Sequence, residues 1–384
     1  MYNWPLMKNS ITLLDKFKLI QFILTSDRFT QGIKVEEFET RWSEWLGAKH
    51  SLFVTSGSTA DFLLVASIIE KYNLKKGDKV LLPACTWVTN INPIFQLGLT
   101  PIFCDINFDN FSFDEDELLL IKEKHPDIKI VFTTHLLGFP ANIKKYKEIF
   151  TESIFIDDVC ESHGCLDENN TKIGSDSLGA TFSFYFGHHM TTIEGGMIST
   201  NDSNLYDLMK IKRSHGLARV SDKFDEYANQ YSNIEKSFLF VTDGYNFRNT
   251  ELSAILGLSQ LKKLDGFIIN RNKIYSEFVK LINDNNNFHT LKNNMRNSSF
   301  CLPFICKNTE VKNNLINKFL ENKIEYRPIV AGNLLKQPYI NYKIESTKKV
   351  SNVDILHEHG LYIGNNQFVG EEELDVLRKI LSEI

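Results

Sequence analysis

The sequence predicts an α/β fold: a large domain built on a mostly parallel sheet covered by helices, followed by a smaller α+β C-terminal domain. Three observations carry that expectation. Short apolar runs alternate with helical periodicities between Ser51 and Thr200. Runs that are apolar throughout suit strands covered on both faces, as in a parallel sheet. After Asn249, helical spacing through Glu251, Leu252, Ile255, Leu258 and Leu261 continues to about Leu281, as one long helix linking two domains would. The 384 residues also exceed a single small core. The expected division is 1–250 and 251–384.

The elements follow in chain order. Val35, Phe38, Trp42, Trp45 and Leu46 mark an amphipathic helix that Gly47 stops. Ser51 to Thr55 reads as a buried strand running into Ser56-Gly57-Ser58-Thr59-Ala60 and an apolar helix to about Glu70. Further strands are expected at Lys79–Pro83, Pro101–Ile106, Ile128–Thr134, Ile154–Asp158, Thr181–Phe186 and Met197–Thr200, with a helix near Asp116–Lys124. Beyond an Asn-rich loop, Asn283–Asn297, come a strand Phe300–Cys306, a helix Val311–Glu321, a strand Ile324–Ile329 and a terminal helix Glu371–Ile384. There is no internal repeat.

Bulk properties narrow the function classes. A net charge of -5 and a pI near 6.1 make no electrostatic case for nucleic acid or an anionic membrane. No apolar run approaches the ~20 residues that span a bilayer, and Met1 to Asp27 has no signal-like segment, so a cytoplasmic location is expected. Cys85, Cys104, Cys160, Cys165, Cys301 and Cys306 form no CxxC pair. They read as buried reduced thiols, with no metal or iron–sulfur cluster.

Four elements of one site stand in order. Ser56-Gly57-Ser58-Thr59 opens a helix, where free N–H groups and the helix dipole favour a phosphate. Trp87 offers a flat ring for stacking on a heteroaromatic cofactor. Asp158, at the end of Ile154-Phe-Ile-Asp-Asp-Val-Cys-Glu161, is the acid expected to hold a cofactor's ring nitrogen protonated. Asp157 is the structural neighbour, and Glu161 a partner for the phenolic oxygen. Ser183 is a further phosphate donor. The stretch Thr181–Gly196 reads like the segment that anchors pyridoxal phosphate through a lysine amine. Six positions before Glu194-Gly195-Gly196, however, stands His188. Imidazole has no primary amine, so no covalent tether forms there, and His188 is free to act as a base. His189 reads as structural.

The order and spacing resemble the sugar-nucleotide aminotransferase family, a branch of the fold-type-I pyridoxal-phosphate enzymes. The resemblance runs from Thr30-Gln31-Gly32 into the C-terminal domain. It implies a large domain that binds pyridoxal phosphate, or pyridoxamine phosphate after amine transfer. Gly244-Tyr-Asn-Phe-Arg248 with Glu251-Leu252 resembles the family segment whose Asn reaches the neighbouring subunit's phosphate. That implies this role for Asn246 and a homodimer with shared active sites. Arg213-Ser-His-Gly216 resembles a loop entering the partner's site, where His215 or Arg219 meets the substrate. Histidine in place of lysine marks a dehydratase branch of the family, and Phe186–Gly196 and Arg327-Pro-Ile-Val-Ala-Gly-Asn333 support it. Ile193, where the aminotransferases usually have Gly, points to a different backbone or pocket wall.

The branch implies loss of the C3 hydroxyl from a GDP-linked 4-keto-6-deoxy sugar, mannose or a related heptose. L-Glutamate would be the amino donor, with 2-oxoglutarate and ammonia released, in dideoxy-sugar synthesis for surface polysaccharide. Arg327 is the candidate for the sugar or diphosphate end. The other reading is a family homologue that lost its lysine and serves as an inactive or binding subunit. Against it, Ser56-Gly57-Ser58, Asp158, Glu161, Ser183 and Asn246 all remain chemically suited to a cofactor.

Overall fold

Seven five-residue strands build the main sheet: β1 (His50–Val54), β2 (Lys79–Pro83), β3 (Thr100–Cys104), β4 (Ile130–Thr134), β5 (Ile154–Asp158), β6 (Gly179–Ser183) and β7 (Gly196–Thr200). The computed structural model describes residues 3–341, 343 and 350–384. Spatial order is β1-β7-β6-β5-β4-β2-β3. Only β7 runs against its neighbours, antiparallel to both β1 and β6. Apart from Asp157 and Asp158 at the end of β5, residues of β4 to β7 are apolar or small and almost all buried, as strands covered on both faces must be. Pro101 is tolerated because β3 is an edge strand.

Helices cover the sheet. We label four: α1 (Leu13–Thr25), α2 (Ile33–Leu46), α3 (Gly57–Tyr72) and α4 (Val88–Gln96). The α2 stripe forms as expected, and Gly47 ends it at φ +89, a left-handed conformation that glycine adopts without strain. The expected linking helix runs unbroken over Glu251–Asn283. A small antiparallel sheet follows, β8 (Cys301–Ile305), β9 (Tyr326–Arg327) and β10 (Gly360–Gly364), in the order β8-β10-β9. Trp4 bridges to Ile324 beside it, and its indole donates to Gly364 O at 2.8 Å. One apolar cluster joins Leu52, Ile130 and Ile156 of the main sheet to Phe278 of the long helix and to Leu302, Phe304 and Leu361 of the small sheet.

The structure differs from the expected elements in a few places. The strand expected at Ile324–Ile329 shrinks to Tyr326–Arg327, because Pro328 has no N–H to extend the ladder. The strand expected to reach Phe186 ends at Ser183. From there the chain turns to carry the candidate histidine. Helices α1, α4, Ser203–Arg213 and Ser351–His359, and strand β10, were not expected. Glycines at both ends mask β10, and Pro93 inside α4 masks that helix.

Candidate active site

The site gathers at the C-terminal ends of the parallel strands, the usual ligand crevice of such a sheet. Ser56 caps α3, accepting from Thr59 N while the Thr59 hydroxyl accepts from Ser56 N. Gly57 is the first helical residue. A Cβ there would lie 2.8 Å from Ser183 Cβ and 3.2 Å from both Ser183 Oγ and Cys160 Sγ. The cradle between α3 and the end of β6 thus exists because Gly57 has no side chain. Gly196 sits below: its Cβ would fall 2.1 Å from Ser56 O. Gly57 and Ser183 are brought together as expected, and Ser58 lies exposed on the same first turn. A helix start of this kind suits an anion, because its first N–H groups have no intrahelical partner.

Asp158 ends β5 in register with Thr134 and Thr181. It is buried, and its Oδ2 accepts from Asn90 Nδ2 at 2.9 Å while Oδ1 accepts from Cys160 N at 2.9 Å. Asp157 points to the other face of the sheet, with Oδ1 3.6 Å from His135 Nε2. The pleat therefore separates the two adjacent acids. Glu161 accepts from Leu137 N at 2.9 Å. Burial pushes its carboxyl up to about 7, with the Asp158 charge adding to the rise and the Leu137 bond opposing it. Trp87 stands exposed at the start of α4, beside the Thr86–Asn90–Thr134 hydrogen bonds that back Asp158.

His188 lies on the turn after β6. Phe184 N donates to Gly195 O and Thr192 N to Phe184 O, which close the loop at its base. The ring is partly buried, 5.5 Å from the Phe300 ring and 6.3 Å from that of Tyr185. Its Nδ1 is buried without a hydrogen-bond partner. His188 shares a cleft with Met7, Arg271, Cys301 and Tyr362. Burial first, and the Arg271 charge second, lower its pKa to about 4. The imidazole is therefore neutral at pH 7 and able to accept a proton. Glu161 acts electrostatically on Cys301 and Tyr362, which both line the histidine's cleft. The acid end and the base end thus belong to one region. His189 is structural, as expected: it is buried with Nε2 3.0 Å from Ser298 O.

Ile193 holds φ +74, which is rare for a β-branched residue. The backbone here takes the shape that favours glycine, so the departure lies in an added, 56 % exposed side chain rather than in a changed path. Its N–H donates to Thr191 Oγ1 at 2.9 Å, and Thr192 Oγ1 donates to Glu194 O at 2.8 Å, which fix the turn. Ile193→Gly is expected to raise stability by about 1 kcal/mol, strain relief exceeding the entropy glycine adds to the unfolded chain. Denaturant titration of both proteins measures it.

The remaining candidates lie elsewhere. Asn246 and His215 sit on one exposed strip, where Ser214 bridges to Asn246. Arg248 Nε donates to Asn246 Oδ1 at 3.0 Å, and Arg248 NH2 is 3.3 Å from His215 Nε2. His215 holds φ +65 beside Gly216 at φ +81. Arg219 is exposed on the short turn Ala218–Val220. None of the three shares a hydrogen bond with His188, Asp158 or Ser183 within the described chain. Arg327 is exposed on β9, paired in register with Tyr362, which lines the histidine's cleft. All six cysteines are free, and only Cys160 is less than fully buried.

Sequence reasoning missed Asn90, Asp61 and Arg271. Asp61 and Arg271 carry a signal: each is a charge on an apolar helical stripe, Asp61 with Leu64, Val65 and Ile68, Arg271 with Ile274, Tyr275 and Phe278. Asn90 carries none.

The chain matches known proteins along nearly all its length. Residues 14–381 match the DegT/DnrJ/EryC1/StrS aminotransferase family. GDP-4-keto-6-deoxy-D-mannose 3-dehydratase of Escherichia coli O55:H7 is 35% identical, over 99% of this chain and 100% of that protein. A crystal structure of GDP-4-keto-6-deoxymannose-3-dehydratase, as a histidine-to-asparagine mutant with bound GDP-perosamine, superposes with a TM-score of 0.91 at 34% identity, covering 99% of this chain and 100% of that one. Another, with a trapped PLP-glutamate geminal diamine, gives 0.89 at 34% identity with the same coverage.

Proposed function

The chain belongs to the DegT/DnrJ/EryC1/StrS aminotransferase family, and from that premise we propose that it is a pyridoxal-phosphate-dependent sugar 3-dehydratase. Its substrate is a GDP-4-keto-6-deoxy sugar, its amino donor L-glutamate, and its products include 2-oxoglutarate and ammonia. The observation that carries this reading is His188: a neutral imidazole where the family's lysine is expected, in a chain that keeps Gly57, Asp158, Glu161 and Ser183.

The residues present fit the cofactor. Gly57 leaves a cradle between α3 and Ser183, the α3 N-terminus supplies N–H groups for a phosphate, and Asp158 is buried with two neutral donors and no cationic partner. When bound, pyridoxal phosphate carries the amine and serves as the electron sink through which the C3 hydroxyl departs. Asp158 holds a ring nitrogen's proton. Glu161, with a pKa near neutrality, holds or yields a proton at the phenolic oxygen. His188 takes a proton at carbon and returns it toward the leaving hydroxyl. With no amine at 188, nothing on the loop competes for the cofactor's aldehyde.

We assign Trp87 to stacking on the ring and Ser58, Ser183 and Asn246 to the phosphate. Asn246, His215 and Arg219 act in trans in a homodimer with shared sites. Their exposure supports this, as does the apolar face of α1, where Leu13, Phe17 and Leu24 are 73 %, 66 % and 79 % exposed. Arg327, exposed and paired with the cleft residue Tyr362, suits the sugar or diphosphate end. With the chain divided at 1–250 and 251–384, the cofactor residues proposed here all fall in the first part and Arg327 in the second. No helix of the described residues is long and apolar enough to cross a membrane, in keeping with a cytoplasmic enzyme.

The test is incubation with pyridoxal phosphate, glutamate and a panel of nucleotide 4-keto-6-deoxy sugars, hexose and heptose. Ammonia, 2-oxoglutarate and a 3-deoxy-4-keto product are expected from the GDP-linked members. An amino sugar without free ammonia would establish an aminotransferase instead, and no 2-oxoglutarate would leave the inactive homologue.

A further inference from the structure

Behind Asp158 lies a second buried acid that the reaction scheme does not use. Asp61, on the second turn of α3, is wholly buried. Asn90 Nδ2 lies 2.9 Å from Asp158 Oδ2 and 3.3 Å from Asp61 Oδ2, so its two N–H bonds serve both carboxyl groups. Asp61 Oδ1 is 2.6 Å from Thr181 Oγ1, which is itself 3.4 Å from Asp157 O. The groups facing Asp61 are Asp158 on β5, the Cys160 thiol just after it, Thr181 on β6, and Thr89 and Asn90 on α4, and none of these described residues is a cation. Two adjacent carboxylates sharing one neutral amide, with no cation, cannot both stay ionised cheaply.

The hydrogen bonds accommodate the shared proton on Asp61. A proton on Asp61 Oδ1 donates to Thr181 Oγ1, whose own hydrogen then points to Asp157 O. Every donor in that chain has an acceptor. Asp158 meets backbone and amide N–H groups that can only donate, Asn90 Nδ2 and Cys160 N, whereas the Thr181 hydroxyl beside Asp61 can accept as well as donate. We infer that Asp61 is a positioning residue, a neutral carboxylic acid that orients Asn90 and leaves the pair's single negative charge on Asp158, facing the cofactor. Burial, with the Asp158 charge second, raises the Asp61 carboxyl well above its ordinary range, in the same direction. This assignment rests on the reading of Asp158 given above.

Stability of the cofactor-free protein tests the proton. A group whose folded pKa is raised keeps a proton that the unfolded chain releases, so its stability contribution is lost as pH rises. Denaturant titrations of the wild type and Asp61→Asn between pH 5 and 8 are compared. The wild type's unfolding constant is expected to grow relative to the variant's by up to about tenfold per pH unit. Glu161 contributes equally to both and cancels. Parallel curves would overturn the proposal. So would an Asp61→Asn chain that cannot fold, since asparagine matches a neutral acid in shape and can donate to Thr181.

Cofactor binding tests the positioning. Asp61→Asn should hold pyridoxal phosphate within about threefold of wild type at pH 7. Asp61→Leu removes the carboxyl partner of both Asn90 and Thr181, leaving Asn90 held from the Asp158 side alone, and should weaken binding by about tenfold. Equal affinities for the two variants would reject the positioning role. Asp158→Asn separates this from the parent reading: unchanged affinity and spectrum there would displace Asp158 from the cofactor while the stability comparison still decides the state of Asp61.

Discussion

His188→Asn is expected to abolish dehydration, lowering turnover by about 10²–10⁴-fold, while leaving the fold and the affinity for pyridoxal phosphate close to wild type. Two features separate these outcomes. The His188 ring makes no side-chain hydrogen bond, and its Nδ1 is left without a partner, so removing it breaks no network. Its base strength is what is lost, because an amide cannot accept a proton near neutrality. The low pKa, about 4, means that the wild-type imidazole is already in its working form from pH 5 upward, so activity should not fall off across the histidine range on this group's account. His188→Lys makes the complementary case. It should retain the cofactor covalently through gel filtration and lose C3 dehydration. Ammonia release and sugar mass are followed for both variants, alongside 2-oxoglutarate for the first half-reaction. A variant at 188 that still removes the hydroxyl at the wild-type rate would take the central residue out of the scheme.

Which parts were legible in the sequence follows from what each residue depends on. The sheet was legible because its strands are short apolar runs, and Asp158 because the pleat of such a strand puts adjacent acids on opposite faces. Gly57 and Ser183 were legible as a helix start and a strand end, though only the three-dimensional packing shows that one requires the other to be small. His188 stood out because the surrounding residues fix its place in the turn. Strand β10 and helix α4 were hidden by glycine and proline that tertiary contacts tolerate. Asn90 was invisible because a buried amide between two acids leaves no periodic trace. The trans roles proposed for Asn246, His215 and Arg219 require a second subunit, and they entered through family resemblance rather than through any pattern in the residues themselves.

Gly196→Ala should be a severely damaging single-methyl change beside the Gly57–Ser183 cradle. A Cβ at 196 would fall 2.1 Å from Ser56 O, 2.3 Å from Ser56 C and 2.7 Å from Gly57 N. Those are main-chain atoms of the cap and first residue of α3, and no side-chain rotation relieves the overlap. Either β7 leaves its register with Val54 and Ser183 or the start of α3 lifts from the sheet. Both routes disturb the Gly57–Ser183 cradle that would receive a phosphate, so stability and cofactor affinity should fall together. The expected stability loss is about 3 kcal/mol, the upper end of overpacking costs, because the clash is with backbone. Affinity for pyridoxal phosphate should fall at least about tenfold, since helix N–H groups bind an anion only while they converge on it. Gly266→Ala is the control. It lies in the long helix Glu251–Asn283 with nothing within 4 Å of its Cβ position, so the same added methyl should stabilise the protein by about 0.5–1 kcal/mol and leave cofactor binding alone. If Gly196→Ala instead behaves like Gly266→Ala, the close approach of α3 to β7 is not what shapes the phosphate cradle.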